Sequence, residues 1–234
     1  MIGIFSKTSD PNLSKIAAMA GLDFVIIDME HGISNLKKVD EHINYSKAAG
    51  ISSYVRVENS DSINLAKVLE LDPSGIMIPN IEDYSHWKKV KKKLFFHPIG
   101  KRGICRYVPA ANFGAMEGKS YFEKENKRKI IVQIEGKKSL SEISKFIGDS
   151  EIETLFIGPY DLSQSLGLPG QISHPKVEEK VREIIIECTK RGKNVGIFVD
   201  NQHNINHYKN KGVNFIACSV DYNIYLEALK KILN

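Results

Sequence analysis

The sequence predicts a closed (β/α)8 barrel of the TIM type, an α/β fold, and three observations predict it. Short apolar, β-branched runs alternate with longer amphipathic segments along the whole chain. Such alternation joins neighbouring strands by helical crossovers, which requires a parallel sheet. Eight units in 234 residues fit a closed barrel, at the small end of its usual size, better than an open doubly wound sheet of about five or six strands.

The elements follow in order. GIFS (3–6) is the first strand; Asp10-Pro11 opens the first helix, with Pro11 suited to its first turn, and Gly21 closes it. FVIID (24–28), SYVR (53–56) and GIMI (75–78) are the next three strands. Residues 79–129 form a long connection holding the helix KKVKKKL (88–94) and the irregular stretch HPIGKRGICRYVPAANFG (97–114). A loop of that length in a compact barrel usually carries function. IIVQIE (130–135) and LFIG (155–158) are the fifth and sixth strands, and the connection 159–194 holds a short turn before a main helix at Lys176–Arg191. VGIF (195–198), FIACS (215–219) and a final helix at Asp221–Leu233 complete the pattern. With no linker and no repeat beyond the βα unit, the prediction is one domain over 1–234.

Composition narrows the function. At 42% hydrophobic and 26% charged, with 17 Gly and 8 Pro, usage is that of an ordinary globular domain. Cys105, Cys188 and Cys218 are far apart without C-x-x-C spacing, so they build neither a disulfide framework nor a cysteine zinc site. The apolar runs are far shorter than the roughly 20 residues of a membrane span, and no signal pattern opens the chain. The expectation is a cytoplasmic protein that engages no membrane. Lys plus Arg outnumber Asp plus Glu 33 to 28, but the excess is spread out apart from Lys88–Lys93, which argues against a nucleic-acid partner and suits a small anionic substrate.

In a barrel, catalytic groups come from the C-terminal ends of strands. Those ends read Asp28-Met29-Glu30-His31-Gly32, Arg56, Pro79-Asn80, Gln133-Ile134-Glu135-Gly136, Gly158-Pro159-Tyr160-Asp161 and Asp200-Asn201. Glu135 and Asp161 end neighbouring strands, and two converging carboxylates that leave positions open for water and substrate suit Mg or Mn; two solvated acids capping the following helices explain the pair equally well. Gln133 shares the face of Glu135 and, if buried, needs a hydrogen-bond partner. Asp28 lies three residues before His31, close enough to orient an imidazole for acid/base work, although a lone loop histidine is more often simply exposed. Arg56 offers a fixed cation for a carboxylate or oxyanion, or pairs with a nearby acid.

Several chemistries are argued against. No P-loop, dinucleotide fingerprint, G-x-S-x-G elbow or H-E-x-x-H helix occurs. No lysine lies inside the eight runs, where a Schiff-base amine would need to be desolvated.

With these residues assembled, the sequence resembles the HpcH/HpaI family of class II pyruvate aldolases, which includes 4-hydroxy-2-oxoheptanedioate and 2-dehydro-3-deoxyglucarate aldolases. The resemblance covers essentially the whole chain and rests on GLDFVIIDMEHG (21–32), YVR (54–56), LELDPSGIMIPNIED (69–83), HPIGKRG (97–103), VQIEG (132–136) and LFIGPYDLSQSLGLPGQISHP (155–175). It implies a barrel of the phosphoenolpyruvate/pyruvate-binding type and a divalent metal (Mg, Mn or Co) held by Glu135 and Asp161. It also implies Arg56 on the enolate oxygen, His31 paired with Asp28 to move the proton, and Asp72 supporting the acid/base site across a subunit contact. Gln133, Gly158, Pro159 and Tyr160 would bind substrate. The implied reaction is reversible cleavage of a 4-hydroxy-2-oxo acid into pyruvate, or a related 2-oxo acid, and an aldehyde. The implied assembly is a homo-oligomer, a hexamer built from dimers, with the final helix as the exchanging element.

The chain departs from the family pattern at Tyr160, Gly136, Val57 and Ile99, and it starts almost on its first strand; none of these removes a catalytic group. Two other readings stand beside the aldolase. A citryl- or malyl-CoA lyase-like enzyme would use Lys101, Arg102 and Arg106 to hold a CoA phosphate. A non-catalytic accessory barrel would have no need of the complete Asp28, His31, Arg56, Glu135 and Asp161 set.

Overall fold

All eight expected strands form in the computed structural model, which describes residues 1–233; Asn234, the last residue of the predicted span, lies outside the described residues. They are β1 (Ile2–Ser6), β2 (Phe24–Asp28), β3 (Ser52–Arg56), β4 (Gly75–Ile78), β5 (Lys129–Ile134), β6 (Thr154–Ile157), β7 (Asn194–Val199) and β8 (Phe215–Val220). Each pairs in parallel with its sequence neighbours, and β8 pairs with β1 to close the barrel. The helices are α1 (Asn12–Met19), α2 (Leu36–Ala49), α3 (Leu65–Glu70), α4 (Tyr84–Leu94), α5 (Gly118–Glu125), α6 (Lys137–Ser141), α7 (Ile143–Gly148), α8 (Pro159–Ser165), α9 (Pro175–Lys190), α10 (His203–Asn210) and α11 (Asp221–Lys230). Among the described residues no helix is long and apolar enough to cross a membrane.

Local chemistry sets the boundaries. Asn35 and Asp83 cap α2 and α4 by accepting the N–H groups of Lys38 and His86, and Gly50 ends α2 in the left-handed conformation at φ 73°. The proline at the start of α9 sits where its missing N–H costs nothing. The connection 97–114 departs from its expected role. It packs into a separate small cluster of Phe96, Ala110, Ala111 and Tyr121, and no residue between 81 and 129 lines the cavity at the strand ends.

Alternation along the strands divides the core in two. One set of side chains points outward and packs beneath the helices, with Ile27, Val55, Ile76, Val132, Leu155 and Ile197 fully buried there. The other set, Phe5, Phe24, Ile26, Tyr54, Met77, Ile131, Phe156, Phe215 and Ala217, fills the barrel. Phe24 stacks on Phe215 with centroids 4.0 Å apart, and the Tyr54 ring meets both edge-on at 5.8 Å and 5.1 Å. These rings need space, and glycines supply it: a Cβ on Gly3 would lie 2.4 Å from the Phe24 ring, and one on Gly75 would lie 2.8 Å from Tyr54.

This aromatic plug fills the barrel towards its N-terminal end, and the cavity at the strand ends lies on the other side of it. Phe24→Ala is expected to destabilise the fold by about 3–5 kcal/mol, the usual range for emptying a buried aromatic site, read as a lower denaturant midpoint at unchanged slope.

Candidate active site

At the C-terminal rim the inward-facing positions change from apolar to polar. Asp28 continues the parity of Phe24 and Ile26, Arg56 that of Tyr54, and Gln133 and Glu135 that of Ile131. At this end lies a cavity of about 290 Å³ lined by Arg56, Gln133, Gly158, Asp161, His31 and Tyr160 among others. The barrel register sets Asp28 directly beside Arg56.

Arg56 is the best-held group. Its Nε and Nη2 donate to the two Asp28 oxygens at 2.9 and 2.8 Å, its Nη1 lies 3.0 Å from Glu30 Oε2, and its guanidinium carbon is 4.6 Å from the Phe5 ring centroid. Burial alone would raise the Asp28 carboxyl, but the hydrogen bond and charge of Arg56, with the N–H groups of His31 and Glu30, more than offset this and hold it below its ordinary value. Asp28 therefore meets His31 differently from the sequence expectation. Its Oδ1 accepts the backbone N–H of Glu30 and His31 at 3.0 and 3.2 Å, while the His31 imidazole is 58% exposed at the cavity mouth with Nε2 3.9 Å from Glu30 Oε2. The carboxylate orients the turn that carries the histidine rather than its ring.

Glu30 and Asn80 were visible only as strand-end residues, and the tertiary structure gives them partners. Asn80, at φ 57°, donates its backbone N–H to Glu135 Oε1 at 2.8 Å and its side-chain amide to Glu30 Oε1 at 2.7 Å. Asparagine is among the few residues that adopt this left-handed backbone readily. The Gln133 amide donates to Glu135 Oε2. Burial, joined by the charges of Asp161 and Glu30, pushes the Glu135 carboxyl up to about 7, against the pull of the Asn80 and Gln133 donors. Burial likewise raises Glu30 despite Arg56.

This donor set fits a divalent cation. Asp161 and Asp200 line the cavity and the charges of Asp161 and Glu30 act on Glu135, while Arg56 and Lys7 are the Lys and Arg side chains among the described residues that line it. Buried Gln133 Oε1 has no hydrogen-bond partner. A Cβ on Gly158 would stand 2.9 Å from Gln133 Nε2 and 3.6 Å from Asp161 Oδ2, so glycine there keeps the space between them clear. Among the described residues no group of three or more His, Cys, Asp or Glu gathers to hold a metal, so a cation here would rest on Glu135 and Asp161, with its remaining positions left to water and ligand.

The remaining candidates divide. Pro159 and Tyr160 line the cavity, with Tyr160 Oη donating to Asp200 Oδ1 at 2.9 Å. Asp72 lies at the other end of the barrel, just before β4, paired with Lys47, Lys124 and Arg128 at 2.7, 2.8 and 2.7 Å. The basic loop is largely committed inward. Arg102 is buried against Glu125 at 2.8 Å and over the Phe96 ring, and Arg106 donates to the Gly114 and Met116 carbonyls. Two of the three cations expected to hold a CoA phosphate are therefore already used.

The raised Glu135 value has a testable sign. Its folded pKa lies above the unfolded one, so its contribution to stability is full below about 4.5 and is lost as pH rises through about 7. In chelator-treated protein, Glu135→Gln is expected to be more stable than wild type at pH 8 by about 2–3 kcal/mol, with the difference vanishing towards pH 4.5; chemical denaturation across this range checks it.

Residues 1–228 match the HpcH/HpaI aldolase/citrate lyase family. Among curated relatives, 5-keto-4-deoxy-D-glucarate aldolase of Escherichia coli O6:H1 is 26% identical over 232 residues, covering 99% of this chain and 90% of that protein. An HpcH/HpaI aldolase/citrate lyase family protein from Burkholderia cenocepacia superposes with a TM-score of 0.93 at 28% identity, over 100% of this chain and 93% of that one. The citrate synthase SbnG superposes at 0.88 with 26% identity, over 99% and 91%. Whole-length agreement in sequence and in barrel geometry makes this chain a member of the HpcH/HpaI aldolase/citrate lyase family and a carbon–carbon lyase.

Proposed function

We propose that this enzyme is a metal-dependent aldolase that reversibly cleaves a 4-hydroxy-2-oxo acid into pyruvate, or a related 2-oxo acid, and an aldehyde. The observation that carries this reading is the buried Arg56 guanidinium, locked by Asp28 and lining the same cavity as Asp161, with the Glu135 carboxylate near enough for its charge to act on both. A rigid cation beside a pair of carboxylates that would hold a divalent cation is the combination enolate chemistry uses, and it supports this reading. The relative named for 5-keto-4-deoxy-D-glucarate supports a substrate of this class. The inward commitment of Arg102 and Arg106 disfavours the CoA-ester reading.

In this reading Glu135 and Asp161 would hold Mg, Mn or Co, which when bound supplies Lewis-acid polarisation of the 2-oxo group. Arg56 stabilises the oxygen on which charge develops as the C3–C4 bond breaks and its electron pair enters the enolate. His31, beside Glu30 at the mouth, takes the proton from the 4-hydroxyl and returns one to C3, giving pyruvate. Gln133 and the Gly158–Tyr160 backbone orient the acid, and Asp28 acts through Arg56 and the His31 turn as a positioning residue. A homo-oligomer is supported by α11, on which Tyr222, Ile224, Tyr225, Leu226 and Leu229 are all exposed.

Exchange of the pyruvate C3 protons in deuterated water, followed by NMR, tests the enolate step without knowledge of the aldehyde. Exchange is expected with Mg, Mn or Co and is expected to vanish with chelator; its absence with every metal would reject the reading. Arg56→Lys is expected to lose at least tenfold to a hundredfold in exchange rate, because a point charge does not reproduce the bidentate fork. Glu135→Ala and Asp161→Ala are expected to abolish exchange and to weaken metal binding measured by calorimetry, and full activity in either would remove that residue from the metal site.

A further inference from the structure

One arc of the cavity is left unused by this chemistry. The groups assigned to the 2-oxo acid end β3, β5 and β6, whereas β7, β8 and β1 close the rest of the rim. Asp200 follows β7, and Lys7 follows β1, continuing the inward parity of Gly3 and Phe5; both line the cavity.

The backbone around Lys7 is fixed from several elements. Asp221 Oδ2, at the start of α11, accepts the N–H groups of Lys7 and Thr8 at 2.8 and 2.9 Å. The Thr8 carbonyl takes the Ser34 hydroxyl at 3.3 Å and stands 3.2 Å from Nε2 of the fully buried His42 on α2. The Lys7 carbonyl accepts the Ile33 N–H at 3.4 Å and the Tyr222 hydroxyl at 3.3 Å. The ammonium at the end of this anchored residue makes no hydrogen bond or ion pair among the described residues, although a carboxylate, Asp200, lines the same cavity. Asp200 is instead engaged by Tyr160.

We infer that Lys7 is a specificity-determining residue that binds a carboxylate on the acceptor aldehyde, selecting short aldehydes that carry one; this rests on the aldolase reading above. The volume, about 290 Å³, suits a 2-oxo acid together with an acceptor of a few carbons. Asp200 adds selection by repulsion. An anionic group placed on its side of the cavity meets a like charge, so the carboxylate settles against Lys7.

The test compares kcat/KM for addition of pyruvate, with the activating metal present, to succinic semialdehyde and to its primary amide, which has nearly the same size and shape but no charge. Wild type is expected to prefer the acid at least tenfold. Lys7→Met is expected to lower that ratio at least tenfold, mainly through KM for the acid, and Lys7→Arg to restore most of it. No preference in wild type, or a ratio that Lys7→Met leaves in place, would overturn the assignment alone, provided pyruvate proton exchange is present. Loss of exchange in wild type as well would overturn the aldolase reading and this inference with it. Glyceraldehyde 3-phosphate taken over succinic semialdehyde with the same dependence on Lys7 would overturn the choice of carboxylate in favour of phosphate.

Discussion

The arrangement of this site depends on the buried ion pair between Asp28 and Arg56. These residues lie side by side in register at the ends of adjacent strands, and neither is accessible enough for water to solvate its charge. Such a pair is retained only if its hydrogen-bonding capacity is used, because losing either partner leaves an uncompensated charge in a dry environment. Here Asp28 accepts two guanidinium N–H groups and two backbone N–H groups, so one carboxylate fixes both the plane of Arg56 and the turn that carries Glu30 and His31.

The rest of the rim is built outward from that pair. Glu30 receives the free edge of Arg56 and the Asn80 amide, and Asn80 passes the constraint to Glu135 through its backbone N–H. Strands β2, β3, β4 and β5 are thereby joined at the top by polar contacts, as they are joined lower down by the sheet. Below lies a buried apolar plug of low dielectric, so charges at the rim are weakly screened and the neighbouring carboxylates raise Glu135. In the proposed reading a divalent cation would relieve that excess of negative charge, and the fixed guanidinium of Arg56 would stabilise an oxyanion without reorganising. The geometry thus joins the fold, the raised Glu135 value and the lyase chemistry in one electrostatic account.

Eight strands were legible in the sequence because each is a short β-branched run with two-residue alternation, and the strand-end rule then named Asp28, Arg56, Gln133, Glu135 and Asp161 as rim residues. Three features were not legible. The proximity of Asp28 and His31 along the chain suggested a side-chain pair, but Asp28 binds the His31 backbone N–H, the exposed ring lies nearer Glu30, and Arg56, twenty-eight positions later, claims the carboxylate. The long loop after β4 looked functional by length and charge, yet its arginines satisfy buried partners such as Glu125. Lys7 escaped notice because it lies one residue beyond the last strand position, where alternation still governs its direction.

What the sequence determined by itself was the barrel, its polarity and the inventory of groups at one end, since periodicity and strand order are local properties of the chain. Which group pairs with which, and which are left without a partner, was decided only in the tertiary structure. Closing the sheet brings β1 beside β8 and sets residues more than two hundred positions apart, such as Lys7 and Asp221, in hydrogen-bond contact. Pairing energy depends on distance and desolvation, and neither exists until the barrel has closed.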